Sequence, residues 1–343
     1  MIPASPRFSQ ISISPPMPAG HRWQEAWRNA VTDPAELLAL LGLSHRAGEL
    51  LANADTGFAL RVPRGFVARM HHADAEDPLL LQVLPGAAEL ISSPGYSTDA
   101  VGDLDSRAAS GVLHKYAGRA LLIATGSCAI NCRYCFRRHF PYAEETAAAG
   151  RWRAAIEHLA NDSSISEVIL SGGDPLSLST PRLAELSDAL LQIPHVRRLR
   201  IHTRLPIVLP ERIDQELLDW LGALPLQKVL VVHANHANEI NDQVIAATRA
   251  LLEKGLTLLN QSVLLRRVND SALALCELSE RLLAAGVLPY YLHQLDRVQG
   301  TAHFEVSDQK ARELVDSMRS QLPGYLVPKL VREVAGDAFK RPL

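Results

Sequence analysis

Ala120-Leu121-Leu122-Ile123-Ala124-Thr125-Gly126-Ser127-Cys128-Ala129-Ile130-Asn131-Cys132-Arg133-Tyr134-Cys135-Phe136 reads as a short apolar strand running into a cysteine loop. The strand, Ala120–Ala124, stops at Thr125-Gly126-Ser127, where polar and turn-forming residues end a buried run. Three cysteines follow at C-x3-C-x2-C. Thiolates spaced this way on one loop can hold three irons of a cubane 4Fe–4S cluster and leave the fourth open, whereas a closed site needs a fourth thiolate. A zinc site with His139 as fourth ligand competes for the same loop. Structural zinc loops seldom sit at the exit of a buried strand, which disfavours it. A disulfide would leave one cysteine over, and Cys276 stands alone in an apolar helical stretch, where a thiol is ordinarily core.

Beyond this loop the same unit recurs. Aliphatic runs at Glu167–Leu170, Leu199–His202, Lys228–Val232, Thr257–Leu265 and Pro289–Leu292 alternate with amphipathic stretches at Arg182–Gln192, Ile213–Leu221, Glu239–Lys254 and Ala272–Ala285. Strand–helix alternation at about 30 residues predicts βα units around a parallel sheet. Six units make the fold class α/β, a partial (β/α)6 barrel with a mainly helical N-terminal extension. Chemistry in such folds gathers at the C-terminal strand ends. The residues there are the cysteine loop, Ser171-Gly172-Gly173-Asp174, His202–Arg204, His233–His236, Gln261 and His293–Asp296, nearly all polar or ligating.

Toward the N-terminus, Asp33 with Pro34, Glu36 and the leucines Leu37, Leu38, Leu40 and Leu41 predicts a capped helix stopped at Gly42. Turn signals fall at Pro63-Arg64-Gly65 and Ser93-Pro94-Gly95. The division expected is a loose arm over 1–20, a helical and irregular region over 21–115, the barrel over 116–300, and a C-terminal segment over 301–343.

Composition narrows the function classes. The 343 residues are 47% hydrophobic and 21% charged, as a soluble chain with a real core requires. A net charge of −2 is far from the basic balance of a protein that lives on nucleic acid. The N-terminus lacks an apolar run of signal-peptide length, and no stretch approaches a membrane span. The expectation is a cytoplasmic protein.

The cysteine loop resembles the hallmark of the radical S-adenosylmethionine (SAM) superfamily, and Ser171-Gly172-Gly173-Asp174-Pro175-Leu176 resembles its glycine-rich turn. The match narrows to the lysine 2,3-aminomutase family through Cys135-Phe136-Arg137-Arg138-His139-Phe140, Leu205-Pro206-Ile207-Val208-Leu209-Pro210, Asn260-Gln261-Ser262-Val263-Leu264-Leu265 and the stretch from Leu295-Asp296 to His303-Phe304. It runs from about residue 64 to the end and is nearest the short branch that makes (R)-β-lysine for attachment to elongation factor P. The chain stops three residues after Lys340, without the cysteine-bearing extension of longer members.

The resemblance implies a 4Fe–4S cluster on Cys128, Cys132 and Cys135, with SAM chelated at the open iron. Ser171, Gly172, Gly173, Asp174, His233 and Gln261 would lie near SAM. It also implies pyridoxal 5′-phosphate on a Schiff-base lysine. Lys340 matches within Ala335-Gly336-Asp337-Ala338-Phe339-Lys340-Arg341-Pro342, though the family's glycines are largely lost and Arg341 replaces a Thr. Lys329 is the local competitor. Arg119, Tyr116 and Lys115 fall where the family gathers groups around the cofactor phosphate. Arg137 matches the residue that takes the substrate carboxylate, a task that suits a planar guanidinium. Asp296 and Glu333 match the two acids for the distal ammonium, with Glu333 standing where the family usually has Asp. The partners so implied are L-lysine, a flavodoxin- or ferredoxin-like electron donor, and a ligase acting on elongation factor P, with neither membrane nor nucleic acid. The rivals are an aminomutase on glutamate or another amino acid, which the two acids disfavour, and an RNA-modifying radical enzyme drawn to Arg133, Arg137, Arg138 and His139.

Overall fold

The computed structural model describes residues 22–51, 59–147 and 152–343; the arm expected over 1–20 lies outside them. Ten strands form one sheet in sequence order: β1 Arg107–Ala109, β2 Val112–Tyr116, β3 Arg119–Thr125, β4 Glu167–Gly172, β5 Arg198–Thr203, β6 Gln227–Val232, β7 Thr257–Val263, β8 Leu288–His293, β9 Lys329–Arg332 and β10 Arg341–Pro342. Strands β3 to β9 run parallel, while β1, β2 and β10 add antiparallel edges. The edges β1 and β10 are not paired with each other, so the barrel stays open.

All six expected strand runs fall on β3 to β8. The structure adds β9 as a seventh parallel strand within the C-terminal segment. Leu122, Leu170, Ile201, Leu230 and Leu258 lie in register across five strands and are all buried. Each contributes about 1.5–3 kcal/mol through burial. Alternate residues such as Leu121, Ile169, Arg200 and His202 instead border an internal cavity. The period of two thus puts β5's polar residues inside the barrel.

Eleven helices complete the described chain: α1 Arg22–Arg28, α2 Pro34–Leu40, α3 Ala47–Leu50, α4 Arg64–Val67, α5 Arg153–Asn161, α6 Thr180–Leu191, α7 Leu205–Val208, α8 Gln215–Ala223, α9 Asp242–Glu253, α10 Ala272–Ala284 and α11 Asp308–Gln321. Asp33 caps α2 through Ala35 N at 2.9 Å, and the chain turns at Gly42 with φ +71°. Pro63-Arg64-Gly65, expected as a turn, opens α4. Asp214, Asn241, Ser271 and Ser307 cap α8 to α11 by accepting from backbone N–H groups, which fixes where each connection enters its helix. The N-terminal residues Trp23, Leu37, Leu38 and Phe66 share one core with the barrel's outer face. No helix among the described residues is long and apolar enough to cross a membrane.

Candidate active site

A cavity of about 830 Å³ runs from the strand exits to residues near the strand starts, among them Arg119 and Tyr290. Every site residue singled out from the sequence borders it.

At the upper end, the cysteine loop is held by the glycine turn after β4. Gly173 N donates to Thr125 O at 2.7 Å, and Asp174 N donates to Ser127 O at 2.8 Å. A Cβ on Gly173 would meet Ser127 O at 2.5 Å, and one on Gly172, at φ +114°, would meet Thr125 O at 2.6 Å. Glycine is required here by close backbone approach. Asp174 is turned toward the protein: its carboxylate accepts from Leu176 N, Thr203 Oγ1, Arg204 N and Leu205 N at 2.6–3.1 Å. It ties the β4 exit to the β5 exit.

Behind the loop lies a buried polar network that the sequence did not disclose. Arg204 donates to Cys132 Sγ at 2.7 Å, to Gln82 Oε1 at 2.8 Å and to Glu239 Oε2 at 2.8 Å. The rings of Phe66 and Tyr134 flank its guanidinium. Asn235 Nδ2 reaches Gln82 and Tyr134. Of its members, Arg204 and Asn235 were within reach of the sequence as polar residues at strand exits, and Cys132 as part of the cysteine loop; Gln82 and Glu239 were not.

The three thiols are unpaired, and burial followed by the neighbouring Cys132 pushes Cys135 up to about 11. Among the described residues no three His, Cys, Asp or Glu side chains gather as a ligand set for a single metal ion. The nearby His139 turns to Gln299 O. Three separate thiols on one cavity wall fit a cubane, which takes one thiolate per iron. His233 and Gln261 meet across β6 and β7 at 3.0 Å, and burial, then Arg204, lowers His233 to about 3.

The middle of the cavity holds the charges. Arg137 donates to Asp103 Oδ2 at 2.6 Å and to Ser171 Oγ at 3.1 Å. Glu333, one residue past β9, pairs with Lys340 and with Lys115. Burial opposes its ionisation, but Lys340 and Lys115 outweigh that and draw it down to about 2. Asp296 behaves oppositely: burial, then the charge of Glu333, pushes it up to about 7, and its Oδ1 has no partner. Lys329 stands exposed at the start of β9 and also borders the cavity.

Lys115 borders the cavity with Tyr116 and Arg119, and its charge is met by two acids. Its ammonium meets Asp103 at 2.6 Å, Val101 O at 2.7 Å and Glu333 at 3.3 Å. Its three hydrogens are thus matched by three protein acceptors. Tyr116 is also directed at Glu333, and burial with that neighbour raises its phenol. Arg119 stacks on Tyr116 at 4.6 Å with no carboxylate partner among the described residues. Deeper still, Arg200 Nε, His202 Nε2 and His293 Nε2 are buried and unpartnered on the cavity wall. Unmet polar atoms of this kind in a roomy cavity mark a place for a polar ligand.

Comparison with known proteins agrees with this geometry. Residues 122–278 match the Radical SAM superfamily. The chain is 49% identical over 328 residues to the L-lysine 2,3-aminomutase of Escherichia coli (strain K12), covering 95% of each. It is 47% identical to that of Haemophilus influenzae, covering 93% of this chain and 94% of the relative. For the Clostridium subterminale enzyme of the same name the identity is 33%, with 94% of this chain and 77% of that one covered. Superfamily chemistry calls for a 4Fe–4S cluster and SAM, and the three thiols and the glycine turn border the same cavity. The chain belongs to the lysine 2,3-aminomutase family of radical SAM enzymes.

Proposed function

We propose that the chain converts L-α-lysine to β-lysine by moving the amino group from the α- to the β-carbon. The product is the R enantiomer and goes to a ligase acting on elongation factor P. The observation that carries the reading is one guanidinium, Arg137, and two acids, Asp296 and Glu333, on the wall of a cavity that also holds Lys340 and three cluster-competent thiols. Arg137 takes the substrate carboxylate with the hydrogens that Asp103 and Ser171 leave free. Asp296 and Glu333 take the distal ammonium, and two acids there reject glutamate.

Cys128, Cys132 and Cys135 would hold the cluster, with Gly172, Gly173, His233 and Gln261 beside SAM. Pyridoxal phosphate would sit on Lys340, with Arg119 and Arg200, whose Nε is unpartnered while its Nη2 pairs with Glu167, toward its phosphate. When bound, these cofactors supply a carbon radical and an electron-delocalising ring, and an external donor supplies one electron. The protein's part is to bind, orient and exclude water. Burial keeps His202 and His293 uncharged, so neither competes with the substrate's ammonium groups.

The test is anaerobic. The reconstituted enzyme receives reductant, SAM, pyridoxal phosphate and L-lysine, and chiral mass spectrometry looks for (R)-β-lysine. Release of 5′-deoxyadenosine with no β-lysine would retain the radical chemistry and reject lysine.

A further inference from the structure

Five charged side chains form a chain of alternating sign across the cavity wall: Arg137, Asp103, Lys115, Glu333 and Lys340. Its first and fourth members are the groups read above as the two anchors of the amino acid. Asp103 and Lys115 lie between them, and nothing in the reaction requires either to touch the substrate. Asp103 is buried, 2% exposed, with one oxygen on Arg137 Nε and the other on Lys115 Nζ, both at 2.6 Å. Burial opposes its ionisation, and Arg137 and Lys115 outweigh that.

The pair is braced from outside. Lys115 Nζ also holds Val101 O at 2.7 Å, and Asp103 N donates to Asp99 Oδ1 at 2.9 Å. Gly102, between Val101 and Asp103, has φ +66°, and a Cβ there would stand 3.0 Å from Ala335 Cβ. The loop before β1 is therefore seated on the segment that joins Glu333 to Lys340. Arg137 cannot swing away without leaving Asp103 beside an unshared ammonium. Glu333 cannot withdraw without breaking with Lys115.

We propose that Asp103 and Lys115 are a bridging pair that fixes the span between Arg137 and Glu333 and so sets the length of the amino acid the site accepts. This rests on the reading of Arg137 and Glu333 as substrate anchors. Both are positioning residues acting through those anchors. Without the carboxylate of Asp103, the buried Arg137 and the half-buried Lys115 face one another and Arg137 loses its fixed orientation, which loosens the ruler without touching the radical machinery.

The experiment compares L-lysine with L-ornithine, one methylene shorter, on wild-type holoenzyme, Asp103→Asn and Lys115→Met. Iron content and melting temperature are measured on each. In Asp103→Asn the lysine kcat/KM is expected to fall about tenfold or more, mainly through KM, as loss of one partner of a buried charge pair does. Ornithine falls less, so the lysine-to-ornithine ratio shrinks by about threefold or more. Lys115→Met is expected to narrow the same ratio, and it carries the test if Asp103→Asn fails to fold or to take up iron. An equal fall on both amino acids with the ratio intact overturns the bridging role and makes the pair merely structural. A wild-type enzyme with no preference for lysine overturns the function reading and this inference together. A wild-type preference that both variants preserve overturns the inference alone.

Discussion

The two ends of the cavity are built on different principles. At the cluster end, backbone meets backbone: the turn after β4 lies on the start of the cysteine loop, and Asp174 uses both carboxylate oxygens to tie β4 to β5. At the amino-acid end, side chains of opposite sign meet from segments far apart in sequence, and Asp296 Oδ1, Arg200 Nε, His202 Nε2 and His293 Nε2 have no partner. One end is a scaffold joined by its own hydrogen bonds, Arg204 Nε excepted, and it positions a reactive centre. The other presents polar groups, several without a protein partner, to the cavity, as a binding site does. If that contrast is right, substitutions at the first end act on stability and cluster retention, and those at the second act on KM.

The largest effect is expected at Arg204. Arg204→Met leaves Glu239, which is fully buried, without its cation and removes the donor on Cys132. Breaking a buried pair from one side costs about 3–5 kcal/mol. Thermal unfolding should drop accordingly, and iron retention with it. An unchanged melting temperature would break the contrast at its strongest point. Gly173→Ala comes next, at about 1–3 kcal/mol, because a Cβ 2.5 Å from Ser127 O must displace the loop backbone. Here the sharper readout is iron and sulfide per chain, since Ser127 adjoins Cys128. Full cluster occupancy in this variant would show that the glycine turn is not what holds the loop.

The same contrast explains what the sequence could disclose. The strand runs, the cysteine spacing and Ser171–Asp174 were legible because strands and their exit turns are local, made by residues next to one another. Strand β9 was not: Lys329–Arg332 is four residues long, lacks clear alternation and follows α11 closely. Asp103 carries no motif at all, and its partner Arg137 is 34 residues away. Lys115 was legible as a cation awaiting an anion, but its contacts to Asp103 and Glu333 were not. Those contacts are made by tertiary packing. Gln82 and Glu239 escaped for the same reason, being joined only in space, 157 positions apart.

A third test probes the open end by pH. Asp296, pushed up to about 7 by burial and Glu333, is mostly neutral at pH 6 and mostly ionised at pH 8. On the proposed reading the carboxylate form holds the distal ammonium, so KM for lysine should fall as pH rises, by about tenfold across that interval. The surrounding groups do not confuse the sign: Glu333 stays ionised throughout and burial keeps His293 neutral. In Asp296→Asn the dependence should vanish and KM should sit near the acid limit. A pH-independent KM in the wild type would remove Asp296 from the binding role.

The smallest effect, and the finest discrimination, belongs to Glu333→Asp. The shorter side chain keeps the charge but withdraws it by about one carbon–carbon bond, roughly 1.5 Å. The contact to Lys115, already 3.3 Å, is the one it gives up first. A change of about two- to fivefold in lysine KM is expected, the scale of a weakened ion pair and far below that of a lost one. Direction matters more than size. Moving the acid back lengthens the span from Arg137, so an amino acid one methylene longer than lysine should gain on lysine while ornithine loses further. Were ornithine to gain instead, Glu333 would not mark the far end of the substrate, and the distal ammonium would have to be assigned to Asp296 alone.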